Sequence, residues 1–239
     1  VEKHLSPEII ITCEHAGNSI PVEYLYLFVK ASDILSSHRG WDPGALHLAE
    51  LLSNNLQTPL HSFGVTRLLI EVNRSLDHRQ LFSEFSKILS LKDKKQLIEN
   101  YYAPYRNEIE QTIREKTEKG RQVIHIGVHT FTPIFRRKER LCDIGLLFDP
   151  TLKQEKQLSA QWKHELITRF PEFSICSNKP YKGTDDGLTT YLRSLLKSDL
   201  YCGIELEVNQ KHLNENGNFA PDFIENIAHS IRHLGRLPA

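Results

Sequence analysis

Short runs rich in isoleucine, valine and leucine alternate along this chain with longer stretches whose apolar residues recur at helical spacing. The first run, residues 8–13 (EIIITC), reads as a buried strand leading into a polar turn. Residues 43–56 read as a helix with Leu46, Ala49 and Leu52 on one face, Asp42 as its N-cap and Pro43 at its first position. Residues 67–72 (RLLIEV) predict a second strand. A long charged helix follows over 91–119, interrupted near Pro104, which has no backbone N–H to give, and ended by Gly120. Beyond it the pattern predicts strands at 122–128 and 143–148, a helix at 152–170 and a short strand at 173–176. A turn-rich loop at 177–187, a helix at 189–197, a strong strand at 201–208 and a closing helix at 221–234 complete the chain.

Strands separated by helices predict an α/β fold of three layers, α/β/α, around a mixed, largely parallel central sheet. The 239 residues contain no internal repeat and suit one large unit, so a single domain over 1–239 is expected. Thirty basic residues balance thirty acidic ones, which leaves no overall field to draw the chain to nucleic acid or to a membrane surface. The local run Arg136-Arg137-Lys138 reads as a solvated loop, with an anion-binding rim as the other reading. No stretch has the length of a membrane helix and no charged-then-apolar leader opens the chain; with no methionine present, Val1 is not expected to be the native start. Four well-separated cysteines, Cys13, Cys142, Cys176 and Cys202, form no C-x-x-C pair and fit a reduced, cytoplasmic protein.

Candidate chemistry sits where such sheets gather it, just past the carboxyl ends of strands. The first predicted strand leads into Glu14-His15, the second into Asn73-Arg74, and 122–128 into His129-Thr130. The last strand carries Glu205 and Glu207, which alternate and so share a face. Asp42, in the loop 38–42 (HRGWD), can reach the same edge, although an N-cap role alone would explain it. Two histidines and a carboxylate are the ligand set of many catalytic zinc sites, which leave a fourth position open. A nearby carboxylate can move a proton from water to a leaving amine, and an Arg beside an Asn can hold a substrate carboxylate. Of the twelve histidines, His4, His47, His61, His78, His164, His212, His229 and His233 lack a strand-end position, and His125 is a supporting candidate on the face of His129.

The segments CEHAGNSIP, RGWDPGA, LIEVNRS, GVHTFTP, RLCDIGLLFDP and GIELEVNQ, in this order, resemble the N-formylglutamate amidohydrolase family over residues 9–210. The resemblance implies the phosphorylase/hydrolase-like fold of the zinc carboxypeptidases. It makes His15 and His129 metal ligands, Asn73 and Arg74 the holders of a substrate carboxylate, and Glu207 rather than Glu205 the catalytic base and acid. Tyr181, in the loop Pro180-Tyr181-Lys182-Gly183, resembles a substrate-loop position of the family, with an ordinary turn aromatic as the other reading. The carboxypeptidase pattern H-x-x-E is broken here, since Asn18 stands at its fourth position. Asp42 is therefore expected to complete the metal set, with Glu14 in reserve.

The function these expectations describe is metal-dependent hydrolysis of the amide bond of a small acidic N-acyl amino acid, first of all N-formyl-L-glutamate, as in histidine degradation. Zinc is the expected ion, with manganese, iron or cobalt able to use the same donors. The alternatives are a zinc peptidase or amidase acting on short or cell-wall peptides, and a metal-free binding protein on the same fold.

Overall fold

The computed structural model describes residues 6–196 and 199–234. In chain order its elements are β1 (Glu8–Cys13), α1 (Ser32–Ser36), α2 (Ala45–Leu56), β2 (Leu60–Ser62), α3 (Leu91–Leu97), α4 (Ala103–Glu118), β3 (Val123–Phe131), β4 (Ile134–Phe135) and β5 (Lys138–Glu139). They continue with β6 (Ile144–Leu147), α5 (Lys153–Arg169), β7 (Ile175–Ser177), α6 (Leu188–Leu196), β8 (Tyr201–Asn209) and α7 (Pro221–Arg232).

Six strands form one sheet in the order β2-β1-β3-β8-β6-β7. The first four run parallel, β6 runs antiparallel to β8, and β7 follows β6. The sheet is mixed and mostly parallel, and helices cover both faces. Every residue of β3 is buried, as expected of a strand sandwiched between helical layers. Alternation along the strands divides the core in two. Ile11, Ile124, Ile126, Val128, Ile204, Leu206 and Val208 pack against Leu48, Leu52, Trp162 and Ile227 of α2, α5 and α7. Ile10, Val123 and Tyr201 turn the other way, toward Leu97, Ile109, Ile113 and Leu192 of α3, α4 and α6.

The structure corrects the reading of residues 67–72. They form no strand: Leu69 N–H bonds back to Thr66 O, Glu71 N–H to Leu81 O and Arg74 N–H to Glu71 O, so the segment is a series of turns. Its leucines and isoleucine are apolar because the segment is buried, not because it joins a ladder. The strand beside β1 is instead β2, only three residues long and partly exposed, too short to stand out as an apolar run. Helix α2 also starts later than the pattern predicts. Its N-cap is Gly44, with a left-handed φ of 82°, and Asp42 does not cap it. A Cβ at Gly44 would be strained by that φ and would press on Leu213 Cδ2 at 2.5 Å, so the conformation calls for glycine.

Near Pro104 the helix does not break. A wide turn over Ile98–Tyr102 joins α3 to α4, and Pro104 falls in the first turn of α4, where its missing N–H costs least. Gly120 closes α4 with φ 72° and an N–H bond to Thr117 O. Strand β3 runs three residues past its expected end, so His129 and Thr130 lie within it rather than after it, and the pattern does not predict α1, β4 and β5; the other predicted helices and strands lie within about two residues of their expected bounds. His4 and Lys197 lie outside the described residues. Among the described residues no helix is long and apolar enough to cross a membrane.

Candidate metal centre and substrate pocket

Toward the carboxyl ends of β1, β3 and β8, the face turned to α4 and α6 changes from apolar to polar. Thr12, His125, His129, Glu205 and Glu207 all lie on it, with Gly127 between the two histidines leaving room. His15 follows β1 by two residues. The loop carrying Asp42 is pinned to both neighbouring strands: Asp42 N–H bonds to His15 O at 3.0 Å, and Thr130 Oγ1 donates to Pro43 O at 2.8 Å. Glu207 stands directly across from His129 in the β3–β8 register. His15, Asp42, His129, Thr130, Glu205 and Glu207, with Arg67, Asn73, Arg74 and Tyr181, line a cavity of about 160 Å³.

His15, Asp42 and His129 are all buried and form the one group of metal-type donors found among the described residues. Asp42 Oδ2 lies 3.2 Å from His15 Nδ1 and 3.2 Å from His129 Nδ1. Tetrahedral zinc, with bonds of about 2.0–2.1 Å, puts neighbouring donor atoms about 3.3 Å apart, so this spacing fits. The outer ring nitrogens are backed as metal-bound histidines usually are. His15 Nε2 meets Glu71 Oε1 at 2.7 Å, and His129 Nε2 lies 3.0 Å from Glu14 Oε2, an ion-pair contact rather than an aligned hydrogen bond. Arg67 ties the group together, with Nε donating to Glu71 Oε2 at 2.7 Å and Nη1 to Asp42 Oδ1 at 3.3 Å.

The charges point the same way. Burial opposes ionisation of Glu14, Asp42 and Glu71, yet their cationic neighbours hold all three well below the usual carboxylate range, Glu14 at about 2. Three carboxylates against the Arg67 guanidinium leave a buried charge of −2, which one divalent cation would neutralise. The same carboxylates favour protonation of the two imidazoles. Burial works against it, but the carboxylates raise His15 above its ordinary value and His129 well above it. Glu207 behaves differently: burial pushes its pKa up to about 8, with further push from Asp42 and Glu205 against the pull of His129. Its Oε2 is buried and has no hydrogen-bond partner among the described residues. Glu205, by contrast, accepts a bond from Thr189 Oγ1 at 2.8 Å.

On the substrate side, Asn73 and Arg74 sit on the turn after Glu71, fixed by Tyr102, at the end of the wide turn before α4, and Arg106 of α4, whose side chains bond Arg74 O at 2.7 and 3.1 Å. Asn73 Oδ1 accepts the Leu188 N–H at the start of α6, which leaves its amide facing the cavity. Arg74 Nη1 donates to the backbone carbonyls of Asn73 and Asp186, and among the described residues no carboxylate forms an ion pair with it. Tyr181 lines the cavity from the loop after β7.

The structure thus brings His15, Asp42, Asn73, Arg74, His129, Tyr181 and Glu207 to one pocket. Glu14 lies behind His129, not in the donor group, with Tyr105 O–H donating to it at 3.0 Å. Asn18 holds Leu35 O and takes no part. His125 does not reach the donors; it bonds Thr12 Oγ1 at 2.9 Å and Tyr201 O–H at 2.8 Å, and burial lowers its pKa to about 4. Arg136, Arg137 and Lys138 are exposed at the tip of the β4–β5 hairpin and do not line the cavity. Sequence reasoning missed Arg67 and Glu71. Their i, i+4 spacing was the available signal, hidden by reading the segment as a strand, in which two such residues stand too far apart to pair.

A mixed, mostly parallel sheet places buried metal-type donors and a glutamate of raised pKa at its carboxyl edge, the layout of an α/β protein with a polar, candidate catalytic pocket. The family model for N-formylglutamate amidohydrolase matches residues 7–213, and the chain belongs to that family. It is therefore an amidohydrolase. Among solved structures, it resembles a gene product of Agrobacterium tumefaciens at 24% identity and TM-score 0.76, over 95% of this chain and 91% of that one. It also resembles the N-formylglutamate amidohydrolase of Ralstonia eutropha JMP134 at 16% identity and TM-score 0.71, over 96% and 93% of the two chains. At these identities the likeness carries the fold. A search of curated protein sequences found no match.

Proposed function

We propose that this chain is a cytoplasmic, divalent-metal-dependent amidohydrolase that removes the acyl group from a small acidic N-acyl amino acid, with N-formyl-L-glutamate, an intermediate of histidine degradation, as its first candidate substrate. The observation that carries the reading is the placement of Asp42 Oδ2 at 3.2 Å from two Nδ1 atoms, with a carboxylate behind each ring. His15, Asp42 and His129 would hold the ion, zinc suiting mixed nitrogen and oxygen donors best. A divalent cation held there would supply Lewis-acid polarisation of the acyl oxygen and would make water more acidic.

The chain's own residues do the rest. Arg74 and the Asn73 amide hold the substrate carboxylate, and Tyr181 covers the pocket. Glu207, ionised, takes a proton from the attacking water as its oxygen bonds to the acyl carbon. It then gives that proton to the leaving nitrogen as the C–N bond breaks, releasing formate and the free amine. A raised pKa suits both halves of this exchange, since the same group must accept and then donate near neutral pH. A cavity of about 160 Å³ suits a reacting group the size of one amino acid rather than a long peptide in a groove.

Elemental analysis of the purified protein beside His129→Ala, with formate release from N-formyl-L-glutamate measured on both, tests the reading. About one divalent ion per chain, lost together with activity in the variant, is the expected result. No bound metal in the wild type after zinc is added back would overturn it.

A further inference from the structure

Arg140 lies outside the cavity lining but touches what roofs it. The residue leaves β5 with its backbone held at both ends: its N–H bonds to Pro133 O at 2.8 Å, and Asn209 Nδ2 donates to its carbonyl at 3.1 Å. Asn209 is fully buried and stands two residues after Glu207 on β8. The base of the hairpin is thereby tied to the strand that carries the candidate base. From there the guanidinium runs across three rings, 4.6 Å from the centroid of Phe135, 5.1 Å from Tyr181 and 5.5 Å from Phe131. Its Nη2 also donates to the Tyr181 phenol oxygen at 3.1 Å. No carboxylate pairs with Arg140 among the described residues; the rings and the phenol are its partners.

That last bond has a directional consequence. A phenol oxygen has one proton, which prefers the plane of the ring and points to one side or the other, and a guanidinium can only donate. With Arg140 donating from one side, the Tyr181 O–H turns to the opposite side. Without Arg140, a ring 43% exposed would be free to swing outward and its proton would choose between water and the pocket.

We infer that Arg140 is a positioning residue: it seats Tyr181 over the pocket and commits the Tyr181 hydroxyl to donate inward, to the oxygen of the acyl group that gains negative charge during hydrolysis. The cation beside the phenol also makes that donor stronger, which matters most when charge develops on the acceptor. The substrate half of this inference rests on the amidohydrolase reading above; the seating half does not.

Two measurements separate the halves. The first is an ultraviolet phenolate titration without substrate, in which the difference between each protein and its Tyr181→Phe counterpart isolates this tyrosine. Burial and Glu207 raise the phenol's pKa and Arg140 opposes them, so Arg140→Gln shifts its ionisation to higher pH, and Arg140→Lys, which keeps the charge, shifts it less. An ionisation unmoved by Arg140→Gln overturns the inference whatever the substrate proves to be. The second is a kinetic cycle on N-formyl-L-glutamate. Arg140→Gln lowers kcat by about tenfold in the wild type but less than about twofold in Tyr181→Phe, because its effect passes through the hydroxyl. Equal losses in both backgrounds overturn it. A chain inactive on this substrate whose Tyr181 titration still depends on Arg140 sinks the substrate reading and leaves the seating in place. Circular dichroism melting of each variant shows that the readouts come from folded protein.

Discussion

The two faces of the central sheet use the same three strands for different ends. Toward α2, α5 and α7, the inward residues of β1, β3 and β8 are Ile, Val, Leu and Cys except for Thr130 at the carboxyl end of β3. Toward α4 and α6 the strands begin alike, with Ile10, Val123 and Tyr201, and then turn polar as they approach their carboxyl ends. Because successive side chains point to opposite faces, each strand supplies a packed core and a reactive edge within a few residues. The difference teaches that stability and chemistry are interleaved in the sequence but separated in space. Substitutions one residue apart should therefore fail in different ways.

The largest effect belongs to the polar face. Glu207→Gln should leave fold and metal content intact while lowering kcat by about 10²–10⁴-fold, the usual contribution of a positioned base. Its melting temperature should hold or rise, since the substitution removes a buried carboxyl whose Oε2 has no partner among the described residues. Retained activity would remove Glu207 from the proposed role. One residue away, on the other face, Leu206→Ala should show the reverse. Leu206 is fully buried, and a cavity there costs about 2–5 kcal/mol of unfolding free energy, read by urea denaturation. Metal per folded chain should not change. Loss of metal from folded Leu206→Ala would show that the two faces are coupled.

Glu71→Gln sharpens the comparison at its margin. It weakens the backing of the His15 ring and loosens Arg67, so affinity for the ion should fall about 10–100-fold in a competition with a chelator, while the apolar face is untouched. An unchanged affinity would mean that His15 is held by its surroundings alone.

Much of this was legible in the sequence because period-2 strands announce their faces. The alternation of Glu205 with Glu207, and of His125 with His129, placed those residues correctly, and the convergence of several strand ends pointed to one pocket. What escaped detection lies where apolar content is a poor guide to backbone shape. Residues 67–72 are as apolar as a strand because they are buried, but they turn, and only the turn lets Arg67 reach Glu71. Asp42 looked like a helix cap because Pro43 follows it. The left-handed φ of Gly44, which the residue type permits but does not announce, moves the helix start past it and frees the carboxylate for the histidines. Nor does sequence pattern tell a ligand from its support: Glu14, adjacent to His15, backs the other histidine instead.

The smallest effect is the most discriminating, because Glu205 and Glu207 are alike in type, strand and face. They differ in their surroundings. Glu205 stands opposite Gly127 and is already bonded to Thr189, whereas Glu207 stands opposite His129 with an oxygen unsatisfied. Glu205→Gln should therefore cost less than about tenfold in kcat, far short of the loss in Glu207→Gln. It should also move the acid limb of the kcat/KM profile. The Glu205 charge helps raise the Glu207 pKa, so removing it favours the ionised base. Activity that requires that base then survives to lower pH, and the limb shifts downward, by about one unit or less. A bound cation pulls the Glu207 pKa down in both proteins, so the comparison rests on the difference between the two profiles measured at saturating metal. A limb that stays in place with kcat nearly lost would exchange the roles of the two glutamates.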